Sequence, residues 1–529
     1  MTDLNSDNLR DIEDLIYEGS FDKAYQKILI LEKKGSLKGS QLLKCQIFKA
    51  LVLNNMGQFE ESLSVAKNVL EESQKLGKHP LMIDAFTNMA ESLWRLGKNE
   101  ESLELIKKGQ NLLEALEKKQ SPSVKLREAS LLYRKGAILS SLGNLDQALD
   151  YTEQSFTIRK KYGKKMDILY CLHNLGVFHL MKGDLDQALE YFKRCLPDID
   201  SFAESKNVAK PLANISGIYA MKGELDQALR YAQRSLQVSE NLGNRQDAAS
   251  ALIIIAEIYR QRGALDQALG CLERSLEFQQ EIGNKINASE SLFKLVSVAI
   301  EKNSLEQAQM YLQQLKQIND KENNKIISQR YRVAEALMLK TSIRSRNRAK
   351  AEEILEKVVE EEIVEHEVTV EALLNLCELL LIELRITNDP EVLDEIQPLV
   401  TRLLDIARRQ HSHLLLIEIY LLKAKLALIN LDLQETQHLL TQAQTTAEER
   451  CLERLALKIS REKNLFEEQI EKWEHLIEHE GSISERLDLA QLEVLMTQII
   501  RKRLTTTKED ILDYAEQVTQ ITEGWNEKE

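Results

Sequence analysis

The sequence predicts an all-α fold, a right-handed α-solenoid of stacked antiparallel helix pairs. Three observations predict it: a seven-residue phrase that recurs at a fixed interval, a shortage of helix breakers, and small residues at two fixed places around each copy of the phrase.

The phrase is clearest as Gly143-Asn-Leu-Asp-Gln-Ala-Leu149, Gly183-Asp-Leu-Asp-Gln-Ala-Leu189, Gly223-Glu-Leu-Asp-Gln-Ala-Leu229 and Gly263-Ala-Leu-Asp-Gln-Ala-Leu269, each 40 residues after the last. A constant period in the range of about 20–50 residues marks supersecondary units that stack on one another. Upstream, Gly97-Lys-Asn-Glu-Glu-Ser-Leu103, Gly57-Gln-Phe-Glu-Glu-Ser-Leu63 and Gly19-Ser-Phe-Asp-Lys-Ala-Tyr25 fit the same frame. Downstream, Asn303-Ser-Leu-Glu-Gln-Ala-Gln309 continues it. The interval from Gly97 to Gly143 is longer, and Ser121-Pro122-Ser123 within it reads as an inserted turn.

The 529 residues include only 6 prolines and 20 glycines, so long stretches are free to be helical. Gly77, Gly163, Gly243 and Gly283 fall 20 residues after the first glycine of their copies. A glycine closes a helix because the left-handed conformation costs it nothing. Two stops per period therefore predict two helices of roughly 16 residues per repeat.

Seven residues before the first glycine stand Ala50, Ala90, Gly136, Gly176, Ser216, Ala256 and Val296. Five after it stand Ala24, Ser62, Ser102, Ala148, Ala188, Ala228, Ala268 and Ala308. Small side chains on facing helices let the axes approach to the short end of the usual range of about 8–10 Å. Leu172, Leu175 and Phe192 in one repeat, and Leu252, Ile255, Tyr259 and Leu272 in another, are the wedges expected between pairs.

These small positions and the Gly-x-Leu-x-x-Ala turn resemble the tetratricopeptide repeat (TPR) family. The 40-residue period is similar to its long-repeat branch, as in kinesin light chains, Pins-type polarity adaptors and bacterial peptide-sensing regulators. Leu242-Gly-Asn-Arg-Gln-Asp-Ala-Ala and Ile282-Gly-Asn-Lys-Ile-Asn-Ala carry the same resemblance. It covers about residues 8–320 and implies about eight helix pairs over 1–320.

Beyond 320 the turn glycines vanish while helical periodicity persists in 326–342, 366–386, 391–410, 411–430, 433–449, 451–478 and 485–503. Asn388-Asp-Pro390 and Gly481-Ser-Ile-Ser are the expected breaks, and Leu431-Asp-Leu-Gln-Glu-Thr-Gln437 an eroded copy of the phrase. Residues 321–529 are thus expected to form degenerate hairpins ending in a polar capping helix at 508–523.

Net charge is −14, which argues against non-specific binding to nucleic acid or an anionic membrane. The acidic amino terminus has no apolar core, and Glu378 and Glu383 interrupt the most apolar run, Leu373 to Leu384, so neither a signal peptide nor a membrane span is expected. Six scattered cysteines form no C-x-x-C pair. A cytoplasmic chain without metal or cofactor is expected.

One string looks catalytic. His475-Leu-Ile-Glu-His479 matches the H-x-x-E-H pattern of inverted zinc peptidases, with Glu478 as the general base. Against it stand the missing third ligand and the ordinary amphipathic helix around it. His411-Ser-His413 points to two helical faces and is weaker. Phosphate-binding and nucleophile-elbow motifs are absent, so no enzyme is expected.

The resemblance also implies where recognition lives. In TPR arrays the first helix of each pair lines the concave surface, at 13, 10, 9, 6 and 2 residues before the turn glycine. The partner-binding candidates so placed are Asn88, Tyr133, Arg134, Tyr170, His173, Asn174, Val177, Met181, Lys210, Asn214, Met221 and Glu257. Asn88, Asn174 and Asn214 share one frame position, and a side-chain amide pairs with both backbone groups of an extended ligand. Arg134 and Ile254 interrupt that series, while Val177, Met181 and Met221 favour an apolar or amphipathic ligand. The expected function is an adaptor or scaffold that holds a partner peptide or amphipathic helix. The alternative is a ligand-responsive regulator without an effector domain of its own.

Overall fold

The computed structural model describes residues 2–17, 20–116, 120–196, 208–342, 344–361, 363, 365–409, 412–449, 452–479, 481–492, 494–496 and 499. Among these residues every regular element is a helix. The described residues form two compact units, one up to residue 182 and from 186 to 196, the other from 208 to 499 with 183–185.

In the first unit the pairs are α1 (Thr2–Tyr17) with α2 (Phe21–Lys34), α3 (Ser40–Asn55) with α4 (Phe59–Lys75), and α5 (His79–Arg95) with α6 (Asn99–Glu114). Then come α7 (Pro122–Ser141) with α8 (Leu145–Tyr162), and α9 (Lys165–Lys182) with α10 (Leu185–Arg194). The second unit opens with α11 (Ala209–Met221) and α12 (Leu225–Asn241), α13 (Arg245–Gln261) and α14 (Leu265–Ile282), and α15 (Lys285–Glu301) and α16 (Leu305–Asn319). It continues with α17 (Lys325–Lys340) and α18 (Ser345–Glu360), α19 (His366–Thr387) and α20 (Glu391–Arg409), and α21 (His413–Ile429) and α22 (Leu433–Glu449). Three further helices follow: α23 (Glu453–Glu468), α24 (Ile470–Glu478) and α25 (Ile483–Ala490). From α1 to α9 and from α11 to α24 each helix packs on its successor, and first helices also touch first helices: α3 with α5, α5 with α7, α7 with α9, α11 with α13, α15 with α17, and α17 with α19.

The recurring phrase is the turn within a pair. Gly143 has φ +79°, its N–H donates to the Ser140 carbonyl at 3.0 Å, and the Asn144 N–H donates to Leu139 at 2.9 Å. Two carbonyls left open at the end of α7 are thereby satisfied, and the Asn144 carbonyl then accepts from Ala148 to start α8. Leu431 makes the same turn without glycine. Its φ is +61°, its N–H reaches Leu428 at 2.9 Å, and the Asp432 N–H reaches Ala427 at 2.9 Å. The eroded copy is therefore a true one.

The small residues meet as expected. All of those on both sides of the turn are buried. Where one is serine, its hydroxyl donates across the pair: Ser62 to the Ala50 carbonyl at 2.8 Å, Ser102 to Ala90 at 2.5 Å and Ser216 to Ala228 at 2.7 Å. A second register holds the other end, with Ser155 donating to Ala129 at 2.7 Å, Ser235 to Ala209 at 2.8 Å and Ser275 to Ala249 at 3.0 Å. Cys195 occupies that serine position, its thiol 3.4 Å from the Tyr191 carbonyl of its own helix and 3.8 Å from the Leu169 carbonyl across the pair. The Asp of the phrase ties adjacent repeats together. Lys182 reaches Asp146 at 2.7 Å, Arg262 reaches Asp226 at 2.5 Å and Lys302 reaches Asp266 at 2.5 Å, each cation one residue before the next turn.

Several expectations need correction. Gly163 is not left-handed but extended, with φ −87°, and a Cβ there would lie 2.8 Å from the Arg159 carbonyl oxygen, so the glycine serves close approach. Ser121 and Pro122 are no inserted turn: Ser121 caps α7 and Pro122 is its first residue, where a missing N–H costs nothing. The periodicity reading missed α18, whose buried Ala351, Leu355, Val358 and Val359 form a narrow stripe in a highly charged segment. The expected helix at 451–478 divides at Gln469 into α23 and α24. The breaks at Asn388 and Gly481 stand as expected. Gly19, His411 and the capping helix at 508–523 lie outside the described residues.

Candidate functional site

In the first unit the candidate residues lie on α5, α7 and α9. Asn88 is buried, and its amide donates to the Asp84 carbonyl of its own helix at 2.9 Å. Its carbonyl accepts from Asn54 of the preceding repeat at 3.2 Å. Arg127 of α7 donates to the Asp84 carboxylate at 2.7 Å, and burial raises the pKa of that carboxyl against the pull of the guanidinium. Arg134 pairs with buried Glu91, which Arg95 also approaches at 3.5 Å. This end of the face is a closed network of charges.

The α7–α9 end is more open. The Tyr133 ring lies under two guanidiniums, Arg159 at 4.6 Å and Arg134 at 5.4 Å, and burial raises its hydroxyl pKa. Tyr170 is 42% exposed on the following helix. Burial of its remaining surface, then Asp167, raises its pKa. His173, Asn174 and Met181 are half-buried and Val177 is buried. The His173 ring sits 5.6 Å from that of Phe192. Tyr170, His173, Asn174, Val177 and Met181 thus form one strip along α9. Among the described residues, the Asn174 side chain makes no hydrogen bond.

The amino-terminal helix reaches this region. Glu13 of α1 approaches Lys44 of α3 at 3.6 Å and Lys164, just before α9, at 3.3 Å. The Lys164 ammonium sits 3.7 Å from the centre of the Tyr17 ring.

In the second unit the equivalent faces are more deeply buried. Lys210 and Met221 are half-buried, whereas Asn214 and Glu257 are buried. Around Glu257 the structure assembles a charged cluster that the sequence frame located only in part. Arg260 of α13 reaches Glu301 of α15 at 2.5 Å and Glu257 at 3.5 Å. Lys294 of α15 reaches Glu367 of α19 at 2.7 Å. Arg330 of α17 binds Glu365 through two nitrogens, at 2.5 and 2.8 Å, and also donates to the Ile286 carbonyl at 2.7 Å. Lys340 reaches Glu378 at 2.7 Å. Glu290 and Glu371 complete the cluster. Burial pushes the Glu257 carboxyl up to about 7 and raises Glu290 and Glu371 as well. A reading of period alone sees these positions as one more polar face. The signal available in sequence was the row of acids Glu367, Glu371 and Glu378 on α19, four and seven residues apart.

Downstream, α25 packs on α19 and α21. Lys425 donates to the Ala490 carbonyl at 2.7 Å, and Arg486 donates to Ile429 at 3.2 Å.

The remaining chemical candidates are plain in geometry. His475 and His479 stack on each other with ring centres 4.1 Å apart. Among the described residues, no three His, Cys, Asp or Glu side chains are grouped to hold a metal ion. Burial pushes the thiols of Cys45 to about 11 and of Cys195 and Cys377 to about 12, away from the thiolate form. No described helix is long and apolar enough to cross a membrane.

The model of the MalT-like TPR region matches residues 168–451, and a tetratricopeptide repeat model matches 127–198. No curated protein matches the chain. Among solved structures, BtubC from P. vanneervenii is 17% identical with a TM-score of 0.37, over 43% of this chain and 92% of its own. The apo quorum sensor NprR from B. thuringiensis is 17% identical with a TM-score of 0.48, over 67% and 98%. A signal transduction ATPase with a tetratricopeptide repeat sensor from Pyrococcus horikoshii is 14% identical with a TM-score of 0.47, over 64% of this chain and 52% of its own. At these scores none of the three bears on what this chain does.

Proposed function

The chain belongs to the MalT-like TPR family, whose model covers more than half of it, and from that premise we propose that it is a non-enzymatic interaction scaffold. It holds an extended peptide or an amphipathic helix of a partner protein on the free faces of its first helices. The observation that carries this reading is the strip on α9. Tyr170 is exposed, Asn174 offers an unengaged amide, and half-buried Met181 supplies apolar surface two turns further along. Amide pairing with a ligand backbone and aromatic contact with its side chains need little more than that.

Asn88 and Asn214 play a different part, since both are buried, and the bonds of Asn88 run within the repeat stack. Recognition by asparagine therefore rests on Asn174. A peptide selected from a random nonapeptide array on the full chain provides the ligand for the test. Asn174→Ala should weaken its binding about tenfold, the loss of one or two buried hydrogen bonds, while leaving the thermal midpoint in place. Equal affinity in both proteins would sink the assignment.

A further inference from the structure

The amino-terminal helix already sits on the surface where the α9 strip begins. Glu13 of α1 lies 3.3 Å from Lys164 and 3.6 Å from Lys44, and Asp14 lies 3.9 Å from Lys164. The Lys164 ammonium packs on the ring of Tyr17, 3.7 Å from its centre. Glu13 and Lys164 are 151 positions apart, so only the stacking of the repeats brings α1 to the start of α9. Tyr17 is half-buried there. Burial, then Asp167 and Glu13, raise the pKa of its hydroxyl, and Arg159 lowers it, which sets the ring beside the strip that opens with Tyr170.

The charges match beyond these pairs. Residues 2–17 carry five acids, Asp3, Asp7, Asp11, Glu13 and Asp14, against Arg10 alone. Arg159, Lys160, Lys161, Lys164 and Lys165 put five cations into the seven residues that lead into α9, in a chain of net charge −14. Lys160 and Lys165 are exposed and make no ion pair among the described residues, so α1 leaves part of this surface unfilled.

We propose that α1 occupies the α9 end of the first unit's recognition surface in place of a partner, and that the partner is a peptide or helix of the same chemistry, acidic and bearing an aromatic residue. This rests on the scaffold reading above and names the chemistry of its ligand. Leu9 and Ile12 of α1 are buried in a core shared with α2 and α3, so the helix stays anchored while the Glu13, Asp14 and Tyr17 side chains let go. Exposed ion pairs and a cation–π contact are individually weak, and a ligand that also reaches Lys160 and Lys165 displaces them. Until it does, its apparent affinity is lowered in proportion to the fraction of molecules whose surface is free.

The test is the same random nonapeptide array, probed at about 0.15 M salt to suppress loose surface attraction. The proteins are the full chain, two variants that release the contact by different routes, Glu13→Gln/Asp14→Asn and Tyr17→Ala, and an Asp7→Asn control at an exposed position of α1. Lys164→Gln is then added to each release variant. The expected result is enrichment of Asp and Glu together with Phe, Tyr or Trp among bound peptides, and affinity raised about fivefold in both release variants but not in the control. Adding Lys164→Gln should remove the gain. Peptides bound without acidic preference, peptides bound no more tightly by the release variants, or a gain that survives Lys164→Gln overturn the role of α1 and leave the scaffold reading standing. No peptide bound by any of the proteins overturns both.

Discussion

Gly136 and Gly143 stand seven residues apart and are glycines for different reasons. A Cβ on Gly136 would collide with the Thr152 hydroxyl and lie 3.0 Å from the Ala148 carbonyl oxygen, because α7 and α8 touch there. A Cβ on Gly143 would meet nothing within 4 Å, but the residue has φ +79°. Gly136→Ala should therefore destabilise by about 1–3 kcal/mol through overpacking, and Thr152→Ala should recover part of the loss. Gly143→Ala should cost about 1 kcal/mol through its backbone, with no neighbour able to rescue it. Denaturant unfolding of the two single variants and the double variant reads both effects, and a Gly136 loss insensitive to Thr152 would contradict the packing argument. The same distinction explains Gly163, which copies the spacing of its counterparts but not their conformation.

At the scale of the helix, the repeat frame made the pairs legible because turn and packing requirements recur identically. The left-handed residue, the small pair across the turn and the Asp that binds the next repeat each sit at a fixed offset. Helix α18 was illegible because its buried stripe is only four residues in a charged segment. The charged cluster on α13, α15, α17 and α19 was illegible for another reason: its interhelical pairs join residues 35 to 73 positions apart, and only stacking brings them together. That cluster makes stability depend on pH. The folded pKa of Glu257 is raised from 4.5 to about 7, so the folded state holds a proton that the unfolded state releases. Its stabilising contribution is complete below about pH 4.5 and is lost as pH rises through 7. At about 1.4 kcal/mol per unit, the loss is about 3 kcal/mol. Denaturation between pH 5 and 8 should show this decline, and Glu257→Gln should flatten it; an equal decline in the variant would assign the effect elsewhere.

At the scale of the whole molecule, sequence alone conveyed the fold class and the family, since a period survives even where individual residues drift, as Leu431 shows. It conveyed the candidate site less completely. The frame positions are right as places on a helix, yet equal positions differ in burial: Asn174 is half-buried while Asn88 and Asn214 are buried. Burial depends on what the neighbouring repeats present, and that information is not local. Partner binding along the first helices is open to direct test. Photocrosslinking tests it most directly, with benzoylphenylalanine placed at Tyr170 on α9 or at exposed Gln154 on α8 of the full chain and an array-selected peptide added. Efficient crosslinking of the peptide is expected from position 170 and none from position 154. Crosslinking from 154 with none from 170 would put the binding surface on the second helices and contradict it.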